Sequence, residues 1–316
     1  MQFLIIPLLL NFNLMLKPLL KHFKTIKSIL LHQLSQEMTK KWILICLFVF
    51  VASKGLFAIG NDTAIYPKLD ISYLKSYYYD TKEFVVSPAK WKKKQWIEFG
   101  TVTAAGILAY TQDEKIQKYF VNHQSETASN LSKYIFEPFG NGKGTCVVIG
   151  NLYATGWLLK DKRLAGTSLT AAKAFGISSV GALIIKQLTH RHRPYQDDIP
   201  DHANWDGPFS SIEYTSFPSG HSTAAFSLAT VFAMEYSSTI WVPVLAFTLA
   251  TGTAVSRLYD NKHWASDVVI GSALGFVTGR FMWKQSKKNG KKKFAVIPNV
   301  GLDHANVAII IRVGEP

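Results

Sequence analysis

Three short clusters carry residue types that could do chemistry together. The first is KQLTHRHRP, residues 186–194, with Lys186 and Arg193 seven positions apart and Pro194 closing a helical stretch. The second is PSGHS, 218–222, set before the apolar run TAAFSLATVFAMEY. The third is SRLYDNKHWASD, 256–267, with Arg257, His263 and Asp267. Lys186, Arg193 and Arg257 are fixed cations. Converging at one point, they would require a multivalent anion, and phosphate is the natural match because arginine forks bridge its oxygens. Ser219 and Gly220 stand at an expected helix N-terminus, where free backbone N–H groups and the dipole favour an oxyanion. Gly220 also permits close approach of backbone to ligand. His263 and Asp267 are four apart, so on a helix the carboxylate lies one turn along the same face. It can accept one imidazole N–H and leave the other nitrogen's lone pair aimed at substrate. His221 then supplies an acid for the departing alkoxide.

Each cluster alone has an ordinary reading. A Ser-Gly before a helix is usually a cap, and Lys or Arg at helix ends usually answers the dipole or water. A His–Asp pair at i,i+4 is more often a surface hydrogen bond than a catalytic dyad. The three in order shift the balance. The pattern Lys-x6-Arg-Pro, Pro-Ser-Gly-His, Ser-Arg-x5-His-x3-Asp resembles the type 2 phosphatidic acid phosphatase (PAP2) family. Its superfamily also holds bacterial class A acid phosphatases and vanadium haloperoxidases. The signature positions are Lys186, Arg193, Pro194, Pro218, Ser219, Gly220, His221, Ser256, Arg257, His263 and Asp267, and the resemblance covers about residues 96–284.

The resemblance implies that His263 attacks phosphorus to form a phosphohistidine, that Asp267 orients it, and that His221 protonates the leaving oxygen. Lys186, Arg193 and Arg257, with Ser219 and Gly220, would hold the phosphoryl oxygens. It implies no metal and no cofactor, because cationic side chains supply the charge stabilisation. Arg191 is a candidate for one more substrate contact, or a solvated loop residue. The loop 195–217 is aromatic and acidic, and reads either as a lid or specificity wall or as a plain connection.

The elements that must position these groups are helices. Between 96 and 284 the apolar periodicity predicts helices at 96–110, 145–159, 165–189, 221–236, 239–256 and 264–284. The expected fold is all-α, a six-helix PAP2-like bundle. In the tail, Val/Ile-rich runs flank GLDHAN and predict a small C-terminal β-hairpin. The domain order expected is an over-extended start (1–37), a signal peptide or anchor helix (38–58), a lead-in (59–95), the phosphatase-like domain (96–284), and a basic linker with the hairpin (285–316).

The chain is 48% hydrophobic with 13% aromatic residues, which suits a folded core, and its net charge is +14. The positive charge is clumped, at KWKKK (90–94) and KQSKKNGKKK (284–293), beside apolar segments. That placement fits anionic headgroups or a positive-inside bias, and no nucleic-acid-binding signature accompanies it. The two cysteines, Cys46 and Cys146, have no metal-ligand spacing. MTKKWILICLFVFVASKGLFA, 38–58, has the order of a secretory signal peptide with cleavage after Ala58, or of an uncleaved anchor. Most apolar stretches run about 14 to 18 residues, below the roughly 20 of a confident span. Yet the basic clumps would all lie on one side of a six-span bundle. Cleavage after Ala58 and that layout cannot both hold.

Two expectations for function follow. One is an envelope phosphatase acting on lipid phosphates or diphosphates, membrane-associated with its site outside the cytoplasm. The other is an exported soluble acid phosphatase acting on small phosphomonoesters. A vanadium haloperoxidase and a non-enzymatic membrane scaffold rank below both.

Overall fold

The computed structural model describes residues 66–208, 210, 215–290, 294–300 and 305–311. The expected over-extended start, the signal or anchor segment with Cys46, and the tail residues 301–304 lie outside the described residues, as do positions 209 and 211–214 of the long loop.

The helices are α1 (Ile71–Val86), α2 (Lys93–Tyr110), α3 (Asp113–Asn122), α4 (Glu126–Leu131), the single turn α5 (Glu137–Gly140), α6 (Gly142–Leu158), α7 (Lys162–Thr189), α8 (Gly220–Glu235), α9 (Trp241–Tyr259) and α10 (Ala265–Gly290). A separate antiparallel pair joins β1 (Phe294–Val300) to β2 (Ala305–Ile311), with Phe294 opposite Ile311 and Val300 opposite Ala305. The chain is mostly helical. Helices α2 and α6 to α10 cover the six predicted segments, but six undercounts the described helices. The additions are α1 and the short helices α3, α4 and α5. α1 and α3 are rich in charge and contain tyrosine, α4 and α5 are six and four residues long, and none carries a long apolar run, so periodicity passes over them.

Local chemistry sets the helix ends. Asp70, Ser125, Asn141, Asp161 and Ser219 each cap a helix, accepting from the N–H of Tyr73, Ala128, Gly144, Leu164 and Ser222 respectively. Helix α7 stops at His190, which takes a left-handed conformation (φ 41°) and returns its N–H to Lys186 O at 3.0 Å.

Helix α8 is the axis of the fold. It packs against α7, α9 and α10, and its residues Ser222–Ala225 and Ser227–Ala233 are buried. So central a helix needs small residues. Its hydroxyls are satisfied locally, Thr223 Oγ1 on Ser219 O (2.9 Å), Ser227 Oγ on Ala224 O (2.8 Å) and Thr230 Oγ1 on Phe226 O (2.7 Å). The facing helix α10 meets it with Gly271, Gly275 and Gly279, one per turn. A Cβ added at these positions would lie 2.5 Å from Ser219 O, 2.3 Å from Thr223 O and 2.7 Å from Ser227 O. Bare backbone is therefore required along this seam, and the contact holds the start of α10 directly against the start of α8.

Candidate active site

The three sequence clusters meet at one end of the bundle, where α7 and α9 finish and α8 and α10 begin. Lys186 lies in the last turn of α7, and Arg193 follows in the segment beyond it. Ser219, Gly220 and His221 form the cap and first turn of α8, and Arg257 lies in the last turn of α9. His263 sits in the short link before α10, and Asp267 is in that helix's first turn. The charges of Arg257, His263, Arg193 and Lys186 all act on His221, and those of Lys186, Asp267 and Arg193 act on His263. Lys186, Arg193, Gly220 and His221 remain partly open, while Ser219, Arg257, His263 and Asp267 are buried. The arrangement gathers cations around two imidazoles, one of them buried.

Each group is held differently. Lys186 Nζ donates to the carbonyls of Thr215 and Ser216, and Arg193 Nη2 approaches Thr215 O at 3.5 Å. Among the described residues neither cation has a carboxylate partner. Arg257 donates from Nη2 to Asp260 Oδ2 (2.8 Å), and Asp260 in turn accepts from Ser132 Oγ (2.8 and 2.9 Å). Gly140 closes over His221: a Cβ there would meet His221 O at 2.8 Å and the Thr253 methyl at 2.5 Å.

His263 turns Nδ1 toward Asp267 Oδ2 at 3.5 Å, the i,i+4 relation expected, though longer than a strong hydrogen bond. Other donors hold the carboxylate more closely. Asp267 Oδ2 accepts from Trp264 N (2.9 Å) and from Ser216 Oγ, and Oδ1 accepts from Arg191 Nη1 (2.6 Å). A proton on Nδ1, which faces these oxygens, would leave the Nε2 lone pair free. Burial pushes the His263 ring down to about 3, with Lys186 and Arg193 acting in the same direction and Asp267 opposing. The ring is therefore neutral.

Arg191 requires a correction. It is fully buried, so it is not a solvated loop residue. Its N–H groups are all engaged: Nε on His202 O (3.1 Å), Nη1 on Ser266 Oγ (2.7 Å) and Asp267 Oδ1 (2.6 Å), Nη2 on Asp113 Oδ2 (2.7 Å) and His202 O (2.8 Å). The rings of Tyr110, Trp205 and Trp264 surround it, with centroids 5.1, 4.6 and 5.5 Å away. The described part of the 195–217 loop folds back on the segment 189–193, through Asn204 O, Asp206 N and Ser216 N. It reaches the site through Thr215 and Ser216. Sequence reasoning missed Asp113 and Ser216, neither of which belongs to a motif with a spacing to read. It also missed the Gly271, Gly275, Gly279 repeat, which was visible as small residues every fourth position.

Residues 165–291 match the family model described as the PAP2 superfamily. That stretch, less than half of the 316-residue chain, is similar to the PAP2 superfamily. A stretch of 65 residues is 48% identical to the lipid A 1-phosphatase of Porphyromonas gingivalis, covering 20% of this chain and 15% of that protein. A stretch of 111 residues is 32% identical to the decaprenylphosphoryl-5-phosphoribose phosphatase of Mycobacterium tuberculosis, covering 35% of this chain and 56% of that one. The chain thus spans well under two thirds of the length of either relative. A solved PAP2-type phosphatidylglycerolphosphate phosphatase from Bacillus subtilis overlaps 62% of this chain and 98% of its own, with 19% identity and a TM-score of 0.46.

Proposed function

We propose that this protein is a metal-independent phosphatase of the cell envelope that dephosphorylates lipid phosphates or diphosphates through a phosphohistidine. The observation that carries the reading is the neutral, buried His263 beneath three cations, two of which have no carboxylate partner among the described residues. A phosphate would supply the missing negative charge. His263 Nε2 attacks phosphorus as the P–O bond to the leaving group breaks, and His221, taking up a proton as the phosphate anion binds beside it, delivers that proton to the departing oxygen. Water, giving a proton back to His221, then attacks the phosphohistidine, releasing phosphate and restoring the imidazole. Lys186, Arg193 and Arg257 answer the charge on the equatorial oxygens, together with backbone N–H groups at the start of α8.

Several features support a lipid substrate and a membrane setting. The relatives above are named for lipid-linked phosphates. Helices α7 and α9 are long and apolar enough to cross a membrane. Large apolar side chains stand exposed on α2 (Ile97, Ile107, Leu108), α7 (Val180, Leu183, Ile184, Leu188), α9 (Val244, Val255) and α10 (Phe276, Val277). Basic residues gather at the end away from the site: Lys92–Lys94 before and in the first turn of α2, Lys162 and Arg163 at the start of α7, Lys287 and Lys288 near the end of α10. The positive-inside bias favours a cytoplasmic basic end and an outward-facing site. That layout is incompatible with cleavage after Ala58 if α2 crosses the membrane.

A panel of lipid and soluble phosphates, assayed on fractionated envelopes with wild type and His263→Ala, tests the reading. Phosphate release from lipid substrates in the membrane fraction is expected, surviving EDTA and inhibited by vanadate, a mimic of the five-coordinate transition state. Release from the envelope without detergent, with preference for soluble esters, would favour the exported acid phosphatase.

A further inference from the structure

Asp113 and Arg191 lie outside the three phosphate-binding clusters, yet they are joined to the catalytic dyad by buried contacts. Asp113, the first residue of α3, is fully buried. Its Oδ2 accepts from Arg191 Nη2 (2.7 Å) and Ser266 Oγ (2.6 Å), and its Oδ1 from Ser266 N (2.9 Å). One carboxylate thus anchors the guanidinium and also answers an orphan N–H in the first turn of α10. Arg191 spends Nη1 on Asp267 Oδ1, which fixes that oxygen and leaves Oδ2 facing His263. Two carboxylates on one cation in an aromatic box, with no solvent access, can adopt one arrangement only.

We infer that Asp113 and Arg191 are positioning residues for the reaction: Asp113 locks the guanidinium, and the guanidinium sets the Asp267 carboxylate so that His263 carries its proton on Nδ1 and presents Nε2 to phosphorus. The inference rests on the phosphatase reading. Its geometry is independent of which phosphate is bound. Arg191 acts through Asp267 alone, since none of its N–H groups is left for a ligand.

The test compares Asp113→Asn with the wild type in detergent, reading kcat, KM, melting temperature and the ring nitrogen shifts of His263, which report its tautomer. Asp80→Asn is the control. It breaks a buried pair, Lys173 Nζ to Asp80 Oδ2 at 2.6 Å, between α1 and α7. Asp113→Asn is expected to lower kcat by about ten-fold or more with KM within about two-fold, as loss of an outer-shell partner does. It should also turn the His263 ring into a mixture of tautomers. Asp80→Asn should lower only the melting temperature. If Asp113→Asn misfolds, Ser266→Ala, which removes the hydroxyl shared by Asp113 and Arg191, should give a smaller change of the same kind. A His263 ring that keeps its wild-type tautomer in the variants, whatever the melting temperature, would overturn the inference. Should the wild type release no phosphate, the phosphatase reading fails, and the tautomer still decides whether Asp113 and Arg191 position His263.

Discussion

Helix α8 has a buried carboxylate cluster at each end, and the two are built for different purposes. At its C-terminal end Glu235 accepts from Arg163 Nε (3.1 Å), Tyr66 Oη (3.2 Å), Trp283 Nε1 (2.8 Å) and Lys287 Nζ (2.7 Å). Arg163 also lies 4.1 Å from the centroid of the Tyr236 ring. Every charge there is met, and the cluster staples the starts of α7 and the described chain to the ends of α8 and α10. At the N-terminal end, Arg191 satisfies Asp267, whereas among the described residues the side chains of Lys186 and Arg193 meet carbonyl oxygens and no carboxylate. A staple balances its charges. A ligand site keeps a surplus, and the sign of that surplus names the ligand.

The comparison breaks most readily at Arg193. Arg193→Ala should cost about 10³-fold in kcat/KM, the scale of losing one transition-state donor, with little change in melting temperature. A large stability loss with activity retained would make Arg193 a staple residue. The converse belongs to Glu235→Gln. It should destabilise by about 3 kcal/mol, because it strands buried cations, and leave kcat/KM of the folded enzyme unchanged. Lost turnover in that variant, at temperatures where it is folded, would join the two ends functionally.

A smaller effect follows from pH. The His263 ring, held at about 3 in the folded protein, titrates near 6.5 when unfolded. Below about 6.5 the unfolded state takes a proton that the folded state refuses, so stability is full above that value and falls as the pH drops toward 3. His263→Asn should flatten the fall in melting temperature between pH 6.5 and 4. A fall as steep as in wild type would assign the acid lability elsewhere, to His221 first.

Much of this was legible in the sequence, for a physical reason. Motif spacings such as His263 to Asp267 are helix-turn distances, and the apolar period of α7 to α10 follows from their packing on one another. What could not be read depends on pairings far apart in the chain. Asp113 finds Arg191 78 positions away, and Ser216 finds Asp267 across 51. Neither has a local pattern. Arg191 was misread because its neighbour Arg193 remains partly open, and in extended chain beyond α7 nothing local says which of two nearby arginines points inward. The six-helix count failed for a related reason: α1 is held by a buried ion pair and by Tyr73 on Leu169 O (2.8 Å), rather than by an apolar stripe.

The central claim is that His263 is the nucleophile. Rapid acid-free quenching of the enzyme with a phosphate-labelled lipid substrate, followed by peptide mapping, should place an acid-labile, alkali-stable phosphoryl group on His263, and His263→Ala should yield neither label nor turnover. Label on another residue, or undiminished phosphate release by His263→Ala, would contradict the account.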